Sequence, residues 1–161
     1  MEMRQIERIM RHPVFSDFLS RIKKAETDRR FCKHDLPHLL DVGRIMYILN
    51  LELNTGIGKE IIYAAALMHD LGRAVQYQDG TDHHKAGAKI AMRLLPECGF
   101  SDEEAGLIAN AITQHAEAAS HEDGLPALLF RADKLSRCCF DCPAQADCYW
   151  TEESKNKRIL Y

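Results

Sequence analysis

The stretch Ala64-Ala65-Ala66-Leu67-Met68-His69-Asp70-Leu71-Gly72-Arg73 governs how the rest of the chain is read. An apolar, alanine-rich helix runs into a histidine and an aspartate and stops at a glycine. Gly72 is expected in the left-handed conformation that closes a helix, leaving His69 and Asp70 on the last turn with side chains that can lean past it. The small residues before them let neighbouring helices pack close. An imidazole beside a carboxylate is metal-ligand chemistry, and the weight of the pair rests on whether other helices bring further ligands.

That helix opens at Lys59, after the glycine-spaced loop 54–58. Upstream, Asp35 is placed to cap a helix that tolerates Pro37 in its first turn, carries His38 on its first full turn and continues through Leu39, Val42, Ile45, Met46 and Leu49. Before it, Ile6, Ile9 and Met10 begin a short amphipathic helix that Pro13 interrupts, and Phe15, Phe18, Leu19 and Ile22 mark another apolar stripe. The polar run 26–33 is expected to turn the chain. Downstream, the polar segment 77–82 leads into a helix opened by His83 and His84 and ended near Pro96 and Gly99. Ser101 and Glu104 then form a capping box for a helix that reaches His115. Gly124 and Pro126 mark a break, after which Leu125, Leu128 and Leu129 restart a helix that presents Asp133. No repeat and no alternating strand pattern occurs. The expected class is all-α, a compact bundle of about six or seven helices.

Composition agrees with a single domain over the 161 residues: 46% are hydrophobic and 28% charged. Within it we expect N-terminal helices over 1–25 as scaffold, a core over 31–137, a cysteine-rich segment over 138–150 and a short basic, solvated tail over 151–161. Against 24 acidic residues stand 21 basic ones, a formal charge of −3, so no global field draws in nucleic acid. The charged N-terminus lacks a signal-peptide core and no apolar run approaches bilayer length, which argues against a membrane partner and for a cytoplasmic location. Oligomerisation stays open.

Five predicted helices thus carry metal-capable residues in the order His38, His69 with Asp70, His83 or His84, His115, and Asp133. This ordered set resembles the HD superfamily of metal-dependent phosphohydrolases. The likeness extends to the segments His38-Leu39-Leu40-Asp41-Val42, Met68-His69-Asp70-Leu71-Gly72-Arg73 and Arg131-Ala132-Asp133-Lys134-Leu135. The resemblance implies His38, His69, Asp70 and Asp133 around one divalent ion (Mn, Fe, Co, Ni or Zn). In binuclear members, Asp70 would bridge to a second ion held by His83 and His115. It also implies hydrolysis of a phosphate ester or anhydride of a nucleotide or other small molecule by a metal-activated hydroxide. Asp70, with Arg73 and Lys134 as cations for the phosphoryl group, would then be catalytic.

Several readings stay open at this stage. His34 lies one turn before His38, and His84 beside His83, so each is an alternate ligand. A di-iron oxygenase on the same fold and a non-catalytic nucleotide-binding module are the competing functions. His12 and His121, in polar surroundings, are expected at the surface. Separately, Cys139-x2-Cys142-x5-Cys148, with Cys32 as a fourth thiol, could form a closed structural site for zinc or an iron–sulfur cluster. The competing reading is a set of reduced, buried thiols.

Overall fold

Helix boundaries follow from local chemistry. Pro13 lacks an amide hydrogen, so it closes α1 (Arg4–Arg11) and opens α2 (Pro13–Ala25) from the first helical position. His12 Nδ1 accepts the Val14 amide hydrogen at 3.2 Å, and its Nε2 lies 3.1 Å from Glu97. His12 is therefore a cap and a tie to a distant helix, not the free surface residue expected from its polar neighbours. In α3 (Leu36–Glu52) the Asp35 carboxylate accepts the His38 amide hydrogen at 3.2 Å. The remaining helices are α4 (Lys59–Met68), α5 (Arg73–Asp79), α6 (His83–Glu97), α7 (Asp102–Gln114) and α8 (Leu125–Leu135). Ser101 and Glu104 make the reciprocal box at the start of α7, at 3.2 and 2.8 Å. Two 3-10 turns, Cys139–Asp141 and Gln145–Asp147, follow α8.

The computed structural model describes residues 2–115 and 124–161; His121 lies outside the described residues. Among those described there is no strand, so the class is all-α, with one helix more than the periodicity predicts. The additional helix is α5, seven residues between two glycines, too short to show an apolar stripe.

Helix α4 runs through the middle. Ala64, Ala65 and Ala66 have no exposed surface, because α3 packs along one side, α7 along another, and α1, α6 and α8 also touch it. Methyl side chains on three consecutive positions are what allow neighbours on all sides to come close. One hydrophobic cluster extends from Ile6 to Ala132.

Gly72 departs from expectation. Its φ and ψ are −60° and −18°, right-handed, and it caps the start of α5. Its necessity is steric. A Cβ at Gly72 would lie 1.9 Å from the His83 carbonyl oxygen and 2.5 Å from the Gly87 nitrogen. The first turn of α6 therefore rests on the backbone that follows Asp70, which brings His83 and His84 to the same place as His69.

The tail also departs from expectation. Lys155 is buried, with Nζ 2.6 Å from a Glu152 oxygen. The Asn156 side-chain amide donates to the Lys134 and Arg137 carbonyls at 2.7 and 2.8 Å, satisfying acceptors at the end of α8. At least part of 151–161 is thus packed, not solvated. No described helix is long and apolar enough to cross a membrane.

Gly72→Ala should test the close approach. Alanine is at ease in right-handed backbone, so propensity alone predicts a gain; the clash with α6 predicts a loss of about 2–3 kcal/mol. Urea unfolding of the two proteins measures which holds.

Candidate metal centre

Three helix ends place the site. His69 is the C-cap of α4 and Asp70 follows it, while His38 stands in the first turn of α3 and Asp133 in the last turns of α8. One ligand atom from each of these four lies within 4.8 Å of all the others, and all four residues are buried. His69 Nε2 is 3.1 Å from Asp70 Oδ2, and His38 Nε2 is 3.5 Å from that same oxygen and 3.4 Å from Asp133 Oδ1.

The imidazoles are oriented from behind. His69 Nδ1 is 2.7 Å from the Ala66 carbonyl oxygen, and His115 Nδ1 is 2.8 Å from that of Ile112. A carbonyl can only accept, so Nδ1 carries the hydrogen in both rings. The Nε2 lone pair of the neutral ring is then free to ligate. Two atoms inside the group, His69 Nε2 and Asp70 Oδ2, are buried yet find no hydrogen-bond partner among the described residues.

Charge points the same way. Burial would raise the pKa of Asp70, but His69 and Arg73 hold its carboxyl well below the usual range. Asp133 behaves likewise, with His38 and Arg137 overcoming its burial. His69, which burial alone would keep neutral, is pushed up by Asp70. Arg73, Arg137 and His69 answer part of the charge of the two buried carboxylates, and the orphaned His69 Nε2 and Asp70 Oδ2 fit a divalent ion there. The same four residues are the first-ion set implied by the sequence resemblance.

The other predicted ligands form a second nest beside this one. The His83 and His84 rings lie 3.8 Å apart, and His84 meets His115 at 4.4 Å between centroids. His115 in turn packs edge-on against His69 at 5.5 Å. His83 Nε2 is 4.0 Å from Asp70 Oδ1. Burial and the neighbouring histidines push His115 down to about 3, and burial with Arg73 pushes His83 down to about 4. Both therefore hold the neutral form that ligation needs. His83 and His84 both have a buried, unpartnered Nδ1, so the structure brings both to the centre and favours neither.

Arg73 Nε donates to Asp70 Oδ1 at 2.6 Å, and Lys134 Nζ to Asp133 Oδ2 at 3.1 Å. Both predicted cations thus touch the ligand carboxylates. They also line a pocket that opens beside the group, with His34, Arg29 and Arg137 adding polar walls and Phe31, Tyr149 and Trp150 adding aromatic ones.

Three participants escape sequence reasoning. Arg137 is buried and donates to both Asp133 Oδ1, at 2.8 Å, and His38 Nε2, at 3.1 Å. It thereby engages lone pairs that an ion would also use. Its position one turn after Asp133 is the only signal the sequence offers. Glu26 is buried at the C-cap of α2, in the polar run expected to turn the chain. Its carboxylate lies 2.5 Å from His34 Nδ1 and accepts the Tyr77 hydroxyl hydrogen at 2.5 Å. Tyr77 is the third, and it arrives on the unforeseen α5. His34, weighed as an alternate ligand, stands outside the four-atom group with Nε2 3.9 Å from Asp70 Oδ2 and lines the pocket instead.

Residues 36–138 match the family model described as HD domain, and this chain belongs to that family. An uncharacterized protein of Clostridium beijerinckii is 42% identical over 144 residues, covering 89% of this chain and 90% of that protein. Ribonuclease Y of Lactobacillus gasseri is 27% identical over 122 residues, 76% of this chain but 19% of that enzyme, so this chain spans about a fifth of its length. Among solved structures, a predicted HD superfamily hydrolase from an uncultured Thermotogales bacterium superposes with a TM-score of 0.61 at 26% identity. That match covers 92% of this chain and 85% of the other.

The Glu26–His34 pair yields a prediction in pH. Burial would raise the Glu26 pKa, but the hydrogen bonds from His34 and Tyr77 hold it down to about 2, below its ordinary 4.5. A depressed carboxyl stabilises the fold above its unfolded value, and that contribution drains away as pH falls from about 4.5 towards 2. Glu26→Gln should cost about 1–3 kcal/mol at neutral pH and much less below pH 3. Chemical denaturation at the two pH values measures it; an equal deficit at both would refute the charge assignment.

Proposed function

We propose that this protein is a metal-dependent phosphohydrolase acting on a small phosphate ester or anhydride of nucleotide type. The observation that carries the reading is the pocket beside His38, His69, Asp70 and Asp133. It combines cationic walls with aromatic ones beside Asp133, the one member of the cluster that lines it. The ribonuclease Y relative is named for action on RNA, which supports phosphoryl chemistry on the same scaffold.

His38, His69, Asp70 and Asp133 would hold a divalent ion, which would supply a Lewis acid and lower the pKa of a water. The chain's own groups do the rest. Arg73 is fixed by its bond to Asp70 and keeps further guanidinium hydrogens for a phosphoryl oxygen. Lys134, about half exposed, sits 5.3 Å from the Trp150 ring centroid and 5.5 Å from that of Phe130. It can leave Asp133 for an incoming anion while its stem stays packed. Trp150 and Tyr149 offer flat faces on which a base can stack. His34 is lowered by burial against the pull of Glu26. It therefore presents a neutral Nε2 towards the pocket, positioned to take or return a proton at the reacting phosphate. Burial strengthens the contacts of His34 and Arg73 in particular.

Phosphate release from a panel of nucleoside phosphates, ribose phosphate and glycerol phosphate, each with Mn, Co, Ni, Fe or Zn, tests the reading. Asp70→Ala should lower kcat by at least about 10³ while circular dichroism stays unchanged. Trp150→Ala should raise KM for nucleoside phosphates about tenfold and leave ribose phosphate unaffected. An active Asp70 variant, or iron-specific oxygen consumption without phosphate release, would overturn it.

A further inference from the structure

Cys32, Cys139, Cys142 and Cys148 come from separate places and meet. Cys32 lies in the link between α2 and α3, whereas Cys139 opens the first 3-10 turn, Cys142 follows it and Cys148 follows the second. The turns fold this segment into a knuckle. The Cys142 amide donates to the Cys139 carbonyl at 3.3 Å, that of Gln145 to the Cys142 carbonyl at 3.1 Å, and that of Cys148 to the Gln145 carbonyl at 3.3 Å. The Gln145 side chain closes it by donating to the Cys139 carbonyl at 2.9 Å. All four cysteines line one small cavity, and none is in a disulfide. The other two cysteines lie apart, Cys98 buried at the end of α6 and Cys138 exposed.

Reduced thiols serving as small hydrophobes would face a charge that only the exposed carboxylate of Glu152 balances. Lys155 also lines this cavity, with its side chain 5% exposed, although its partner Glu152 is 64% exposed. An ammonium in the wall of a thiol-lined space is costly unless negative charge faces it. Thiolates ligating a metal supply that charge.

The spacing bears on which metal fits. A single tetrahedral zinc ion, with bonds of about 2.3 Å, holds its four sulfurs about 3.8 Å from one another. Among the described residues, the only three or more ligand atoms lying within 4.8 Å of one another belong to the His38, His69, Asp70 and Asp133 group. The cysteine sulfurs are thus spread more widely than zinc requires. A cubane cluster takes one thiolate at each of four outer corners and needs the wider frame. We propose that Cys32, Cys139, Cys142 and Cys148 bind a [4Fe–4S] cluster. Four thiols give up their protons, and four thiolates on a doubly positive core leave a dianion. Lys155 lies against it, and Arg137 shares a wall with Cys32, Cys139 and Cys148. That shared wall is the one carrying Tyr149 and Trp150, so the cluster would pin the side of the pocket opposite the helices.

The test uses the full chain purified without oxygen and reconstituted with ferrous and ferric iron in equal amounts and sulfide, so that two ions of each kind and four sulfides make the doubly positive core. The expected product is brown, with broad visible absorbance that dithionite bleaches, and about four acid-labile sulfides per chain. Sulfide is the deciding quantity, because iron taken up at the histidine–aspartate centre would bring no sulfide. Asp70→Ala should keep the full sulfide content whatever its effect on phosphate release, which separates this site from the phosphohydrolase reading. Cys142→Ser should lose at least tenfold of the sulfide and Cys138→Ser none. If the Cys142 variant fails to fold, the wild-type content decides alone. Absence of sulfide after reconstitution, or one zinc per chain lost on Cys142→Ser with no sulfide, would overturn the proposal.

Discussion

Asp70 is a carboxylate with about 1% of its surface exposed, and most of the structure near it is a response to that fact. Removing such a charge from water costs several kcal/mol unless partners surround it. Arg73 takes one oxygen, while the other faces His69, His38 and His34. Those partners come from the end of α4, the start of α3 and the link before it. A second carboxylate, Asp133, brings α8 to the same point with Arg137 in attendance. Each helix end is drawn inward by electrostatics, and the methyl-lined waist of α4 gives the room to do so.

Local signals made much of this legible. Pro13, Asp35 and the Ser101–Glu104 box each act within four residues, so their effects on helix boundaries can be read along the chain. The histidine and aspartate order was readable for a different reason: the types are rare and their ligand chemistry is narrow. What stayed hidden depends on partners far away in sequence. Gly72 looks like a helix stop, but its lack of a side chain serves the carbonyl of His83 across a helix crossing. Glu26 sits among lysines and arginines in a run that reads as a turn, yet Tyr77 from α5 closes over it. Arg137 is one more basic residue in the sequence; only the meeting of α3 and α8 shows that it spans two ligands.

The molecule divides its labour between regular and irregular backbone. Helix ends fix the ligand atoms, where a displacement of an ångström would matter. The segment after α8 lines the pocket with Tyr149 and Trp150, and Phe31 joins them from the link between α2 and α3. Asn156 returns from the tail to the carbonyls of Lys134 and Arg137. It thus joins the two regions at the point where α8 ends. Chemistry and selectivity can therefore vary separately, since altering the wall leaves the ligand geometry in place.

The four clustered ligands are drawn from α3, the end of α4 and α8, and contacts such as Ser136 to His38 close loops of nearly a hundred residues. An unfolded chain cannot present them together. An ion that binds there recognises the native state alone and draws the folding equilibrium towards it by mass action. Each tenfold of free metal above its dissociation constant adds about 1.4 kcal/mol. The ion would act as a reversible cross-link among three helices, tying the abundance of folded protein to the supply of metal.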